Sequence, residues 1–246
     1  MLCRTERGPS GPARRAESGE GVSEEAAAPS DDGTFLEESR VTAAHALRDI
    51  VHAFVRSQPA EDAYDEIRTA AEQLVATLDA APRRDRMALM QSAREKHGGT
   101  FPAGAGAGGF NDRAVAGLAN PAAVDLSVRP GHGTEVVADV VFRRGFEGPP
   151  GRAHGGMIAA VFDDVTGFII GRIGQPAFTG ELTVRYVGPT PIETPLVMTA
   201  QLDGQERRKL FISGEVMTAD GTVTATCKAI YITIDPSIFA ASPDPR

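Results

Sequence analysis

The stretch "RAHGGMIAAVFDDVTGFII", residues 152–170, limits the folds open to this chain more than any other feature. It is the only long apolar run in the second half of the sequence, and it carries two adjacent aspartates at its middle. Its length and composition suit a helix buried on most sides, whereas the segments around it have period 2 instead of 3.6. In "VDLSVR", Val124, Leu126 and Val128 alternate with Asp125, Ser127 and Arg129, as a half-buried strand requires. "EVVADVVFRR" reads as a second strand ahead of the loop "GFEGPPGRAHGG". "ELTVRYV", "LVMTAQLDG", "KLFISGEVMTADG" and "TVTATCKAIYITI" follow as four more, with "ADGT" as a hairpin signal between the last two. The order strand, strand, helix, four strands lacks the alternating helices of a parallel sheet. It predicts an α+β fold, an antiparallel sheet with one helix across a face.

The first hundred residues have a different character. Residues 1–35 are Gly-, Pro-, Ser-, Glu- and Ala-rich with little to bury, and are expected to be a disordered tail. Residues 36–82 hold two amphipathic helices as an N-terminal extension. Leu47, Ile50, Val51 and Phe54 mark the apolar face of the first; Tyr64, Ile67, Ala71, Leu74 and Leu78 mark that of the second, which Pro82 ends. Both faces are expected to pack against the body. Residues 83–122 read as an irregular connection, and 123–236 as the main domain.

Two carboxylates in a greasy helix need a reason, because burying an ionised Asp costs several kcal/mol unless partners compensate it. On a helix Asp163 shares its face with the small residues Ala159, Ala160, Thr166 and Gly167, which leaves room for a ligand or a second chain. Asp164 lies ~100° round the axis, so one of the pair is structural and Asp163 is the candidate chemical group. "HGG" sets two glycines where free N–H groups and the positive end of the helix dipole gather. These can polarise a carbonyl or hold an anion, or simply permit a tight turn. Gly155 and Asp163 are ~12 Å apart along a helix, too far to act on one carbonyl. If both act, they act in different sites, as in a two-fold dimer where one subunit's glycine amide faces the other's aspartate.

The segments "FEGPPGRAHGGMIAAVFDDVTG", "TGELTVRYVGPTPIETPL" and "RRKLFISGEVMTADGTVTATCKAIYI" resemble the hotdog-fold acyl-CoA thioesterases of the phenylacetyl-CoA and 4-hydroxybenzoyl-CoA thioesterase superfamily. The resemblance implies an antiparallel sheet wrapped round one long helix, and subunits that pair as a homodimer or a dimer of dimers. It also implies a site in which the Gly155 amide polarises the thioester carbonyl and His154 shapes the turn. Asp163 would be nucleophile or general base, with Thr179 placing the water or the carboxylate. Some relatives carry an Asn where this chain has Gly148.

Coenzyme A needs local positive charge, although the chain has a formal net charge of -8. "QERRKLF" gathers Arg207, Arg208 and Lys209 at a strand start, either as a phosphate handle or as a solvated edge, and Arg185 is a weaker candidate; Arg208 and Lys209, with Gly156, are the residues expected to bind substrate. The acidic balance excludes a nucleic-acid binder. Cys3 and Cys227 form neither a disulfide framework nor a metal set, and His45, His52, His97 and His132 form no constellation. No metal or redox cofactor is expected. No membrane span or leader is evident, so a cytoplasmic location is expected. The reading is therefore hydrolysis of an acyl-CoA or acyl-carrier-protein thioester. Its alternatives are an acyl-thioester dehydratase and a non-catalytic acyl-CoA-binding protein.

Overall fold

The structure is a computed structural model that describes residues 38–85, 88 and 111–235. The expected tail, most of the connection and the chain beyond residue 235 lie outside the described residues.

Six strands form one antiparallel sheet: β1 Asp125–Pro130, β2 Val136–Val141, β3 Ala177–Tyr186, β4 Leu196–Glu206, β5 Lys209–Thr218 and β6 Val223–Thr233, in the order β1-β2-β4-β5-β6-β3. Helix α3, Gly155–Ile173, follows β2 and lies across this sheet, touching β2 through β6. This is the hotdog fold. Ile158, Val161, Phe162, Val165 and Ile169 repeat at three- and four-residue steps on α3 and are buried against Val140, Leu196, Met198, Leu210, Ile212 and Val216. Truncating Phe162 in this core should cost about 3–5 kcal/mol. Gly174, at φ 67°, ends the helix in the left-handed region. In the last turn, Arg172 donates to the carbonyls of Gly131 and Gly133, which ties the helix to the β1–β2 turn.

The middle of the sheet is packed with small residues. A Cβ on Gly214 would lie 2.8 Å from the Thr199 carbonyl oxygen and 3.1 Å from Cys227 Sγ, so β5 can meet β4 and the Cys227 side chain only with glycine there. Burial pushes the Cys227 thiol up to about 12.

Strand β3 begins at Ala177, four residues before the expected start at Glu181. Gly180 hid this extension, because it is the extra residue of a bulge between Thr179 and Glu181 opposite β6.

The N-terminal helices form as expected, α1 over Glu38–Arg56 and α2 over Glu61–Asp79, but the faces they use differ from the expectation. Helix α1 buries Ala44, Arg48 and His52, and leaves Ile50, Val51, Phe54 and Val55 about half exposed. Polar anchors, not apolar area, decide its orientation. Arg48 bonds to Asp125 at 2.8 Å and to the Asn120 carbonyl at 2.8 Å, His52 Nδ1 accepts the Gly145 N–H at 3.0 Å, and Asp49 pairs with Arg143. Helix α2 buries no residue; Phe54 and Tyr64 touch edge to face across the α1–α2 turn.

Candidate active site

The first turn of α3 assigns its amides one by one. His154 is the N-cap, and its Nδ1 accepts the Gly156 N–H at 3.0 Å. Its carbonyl accepts from Met157 and Ile158. Among the described residues the Gly155 N–H has no partner, which leaves one donor open at the positive end of the helix. Gly156 therefore spends its amide on the cap, and it is Gly155 that stays open. Tyr186 Oη donates to the Gly155 carbonyl at 2.7 Å, and a Cβ on Gly155 would sit 3.2 Å from that phenol, so the glycine lets the ring lie against the helix end. The preceding loop is held by Glu147, which accepts from the Gly151 N–H at 2.6 Å and from Arg144 at 3.0 Å. These donors, Gly151 first, hold its carboxyl below the usual range. A Cβ on Gly148 would lie 3.0 Å from His154 Cα, so a larger residue there would push on the capping residue.

Two turns further along α3, Asp163 is exposed at the side of the sheet closed by β3. Thr179 Oγ1 donates to Asp163 Oδ1 at 2.8 Å. The bulge makes this contact possible. Leu182, Val184 and Tyr186 share one strand face, and strict alternation would turn Thr179 to the other; the extra residue Gly180 returns it to the helix side, opposite buried Tyr231. Tyr231 Oη donates to the Asp163 carbonyl at 2.9 Å and shares a 2.9 Å hydrogen bond with Thr166 Oγ1, so the backbone bearing the carboxylate is fixed from β6. Burial, the main cause, raises the Tyr231 phenol above its ordinary range.

Asp164 faces elsewhere. It pairs with Arg113 at 3.7 Å from the loop that precedes β1, while the Arg113 guanidinium lies 4.3 Å above the Phe168 ring. Burial raises the Asp164 carboxyl above its ordinary range, opposed by Arg113 and by the Ala116 N–H.

The structure thus brings Asp163 and Thr179 together, and His154, Gly155 and Gly156 together, as two groups at separate places on α3. Arg208 and Lys209 lie in neither. They border a groove of about 580 Å³ with Glu206, Arg207 and Ile232, at the β4–β5 hairpin. Arg208 directs Nε and Nη2 to the Thr233 carbonyl at 3.0 and 2.9 Å, tying down the end of β6. Lys209 pairs in register with Ile232, which pairs with Phe178, one residue before Thr179; the basic hairpin is therefore at the Asp163 end of β3. A groove of about 660 Å³ between α1 and the β1–β2 side has Arg48, Asp49, Asp125 and Arg143 among its lining, and these charges already pair with one another. Tyr186, Tyr231, Thr166 and Arg113 were not singled out from the sequence. Gly180 inside a strand pattern was the one signal that could have exposed the Thr179 geometry.

Residues 150–225 match the family model of the thioesterase superfamily. That stretch holds α3, both aspartates and Thr179. Acyl-coenzyme A thioesterase THEM4 of Mus musculus is 36% identical over 91 residues, 37% of this chain and 39% of that protein. Acyl-coenzyme A thioesterase THEM5 of Homo sapiens is 34% identical over 87 residues, 35% of each. The chain spans less than half the length of these curated relatives. A crystal structure of a thioesterase superfamily protein shares the fold at a TM-score of 0.64, with 24% identity, covering 78% of this chain and 94% of that one.

Proposed function

We propose that this protein hydrolyses an acyl-CoA thioester to the free acid and coenzyme A. The observation that carries the reading is that α3 bears both an open helix-terminal N–H at Gly155 and, two turns on, a carboxylate at Asp163 that Thr179 orients and whose backbone Tyr231 holds. The Gly155 amide polarises the thioester carbonyl and takes up charge as the tetrahedral centre forms. Asp163 acts as general base on water, or attacks the carbonyl itself and is then released by water. The thiolate of coenzyme A is the leaving group in either path. An acyl-carrier-protein thioester presents the same reacting bond and is the second candidate substrate. Coenzyme A enters only as part of the substrate, and the chemistry calls for no metal or redox group. Arg207, Arg208 and Lys209, at the Asp163 end of β3, are the proposed phosphate contacts, with Gly156 beside the acyl carbonyl.

The site is proposed to be shared between two copies. Strand β3 is an edge strand of ten residues, most of them exposed, and such an edge invites pairing. An antiparallel β3–β3 pair centred on Thr183, with Gly180 looped out of the register, sets Thr179 of one copy opposite Tyr186 of the other. Thr179 carries Asp163 and Tyr186 carries Gly155, so this register unites the two groups across a two-fold axis. Within one chain Thr179 and Tyr186 are six register steps apart, roughly 20 Å of strand, which keeps the groups apart. The relatives named as acyl-CoA thioesterases support the substrate class.

Asp163→Asn tests the reading. Turnover of a panel of short, medium, long and aryl acyl-CoAs, followed by thiol release, should fall by at least about 100-fold. The melting temperature should stay unchanged, and near-normal turnover would overturn the assignment.

A further inference from the structure

Two adjacent carboxylates on one helix would compete for protons unless one were compensated. The loop 111–124 supplies the compensation. It is braced on itself: Ala119 N–H bonds to the Asn111 carbonyl at 2.7 Å, Asn120 Nδ2 to the Arg113 carbonyl at 3.1 Å, and Val124 N–H to the Val115 carbonyl at 2.9 Å. The curl is tight enough that a Cβ on Gly117 would lie 2.4 Å from the Arg113 backbone. Arg48 of α1 holds it from the far side through the Asn120 carbonyl. Arg113 is therefore placed by a rigid segment, with its guanidinium stacked on Phe168 and paired with Asp164; the two side chains are only 17% and 20% exposed. Arg113 Nε and Asp164 Oδ2 are buried without hydrogen-bond partners, so the pair interacts chiefly through charge.

We propose that Arg113 is a positioning residue for the hydrolytic site: by compensating Asp164 it leaves Asp163 as the one uncompensated carboxylate that α3 presents to substrate. This rests on the role given to Asp163 above. The groups that bear on the pair are Arg113 from the loop, Tyr231 from β6 and the two aspartates themselves. Removing Arg113 withdraws the cation that offsets the carboxylate next to Asp163.

The test is the titration of Asp163 in the full chain, read as the acid limb of kcat/KM and independently by 13C NMR of its carboxyl. Arg113→Met removes the cation, so both readouts should move to higher pH, Arg113→Lys should keep them at the parental position, and the double variant R113M/D164N should follow R113M, because burial already favours the neutral form of Asp164. An Asp163 titration that stays put in Arg113→Met overturns the proposal and reduces Arg113 to a packing strut, whatever happens to kcat or stability. The NMR shift is read without turnover. A chain in which the shift occurs but no thioester is cleaved therefore refutes the hydrolase reading while leaving the electrostatic coupling intact.

Discussion

Asp163 is held by one side-chain donor and one backbone tether, and each has a separable consequence. Thr179 Oγ1 orients one carboxylate oxygen, so Thr179→Val, which keeps the shape and removes the hydroxyl, should lower kcat roughly 10- to 100-fold with little change in KM. Steady-state kinetics with the best acyl-CoA would check this. Gly155 can be tested with similar economy, because proline is tolerated at the first helical position and its one loss there is the N–H. His154 already has φ -64° and ψ 130°, the extended backbone that a residue before proline requires. Gly155→Pro should therefore keep the fold and reduce kcat by about 100- to 1,000-fold, as expected for loss of an oxyanion donor. Gly155→Ala is the control, adding the same Cβ against Tyr186 while keeping the amide. Circular dichroism and kinetics on the two variants separate crowding from loss of the donor.

At the level of elements, α1 is attached by polar groups whose hold depends on pH. The His52 imidazole is depressed below its ordinary value of 6.5, first by burial and then by the Arg143 charge; Arg48 adds to this, and Asp125 and Glu193 oppose it. Its neutral Nδ1 accepts the Gly145 N–H. Because the folded state disfavours the imidazolium, the contribution of His52 is complete above pH 6.5. It is lost as the pH falls from there through the lower folded value, where the unfolded chain binds the extra proton. Hydrogen-exchange protection of the α1 amides, corrected for intrinsic rates, should fall over that window in the parent and stay level in His52→Asn. The elements themselves were largely legible. Helix α3, six strand cores and the helical periods of α1 and α2 follow from apolar spacing, and Asp163 and the His154–Gly156 turn from one motif. What spacing does not carry is pairing across the fold. The face that α1 buries is chosen by Arg48 and His52, whose partners Asp125, Asn120 and Gly145 are 70 or more residues away. Thr179 turns inward only because Gly180 loops out against β6, and Tyr231 matters only once β6 lies beside β3. The partner of Asp164, like Tyr186 beside Gly155, is invisible without the fold.

For the whole molecule, the decisive question is whether two half-sites meet across β3. The exposed β3 edge can be tested by mixing subunits. Homodimers of Asp163→Asn and of Gly155→Pro should both be nearly inactive. After joint unfolding and refolding at equal amounts, heterodimers should carry one intact site each and return roughly a quarter of parental turnover. No recovery, with mixed dimers verified by native mass spectrometry, would place both groups in one chain's own site. The thiol at the centre of the sheet has a separate use. Cys227, packed against Gly214 and with its ionisation pushed far above neutrality, should not react with a disulfide reagent while β5 and β6 stay zipped. In a Cys3→Ser background the same colorimetric reagent that counts released coenzyme A therefore doubles as a clock. Colour that develops without substrate times how often β5 and β6 come apart around Cys227.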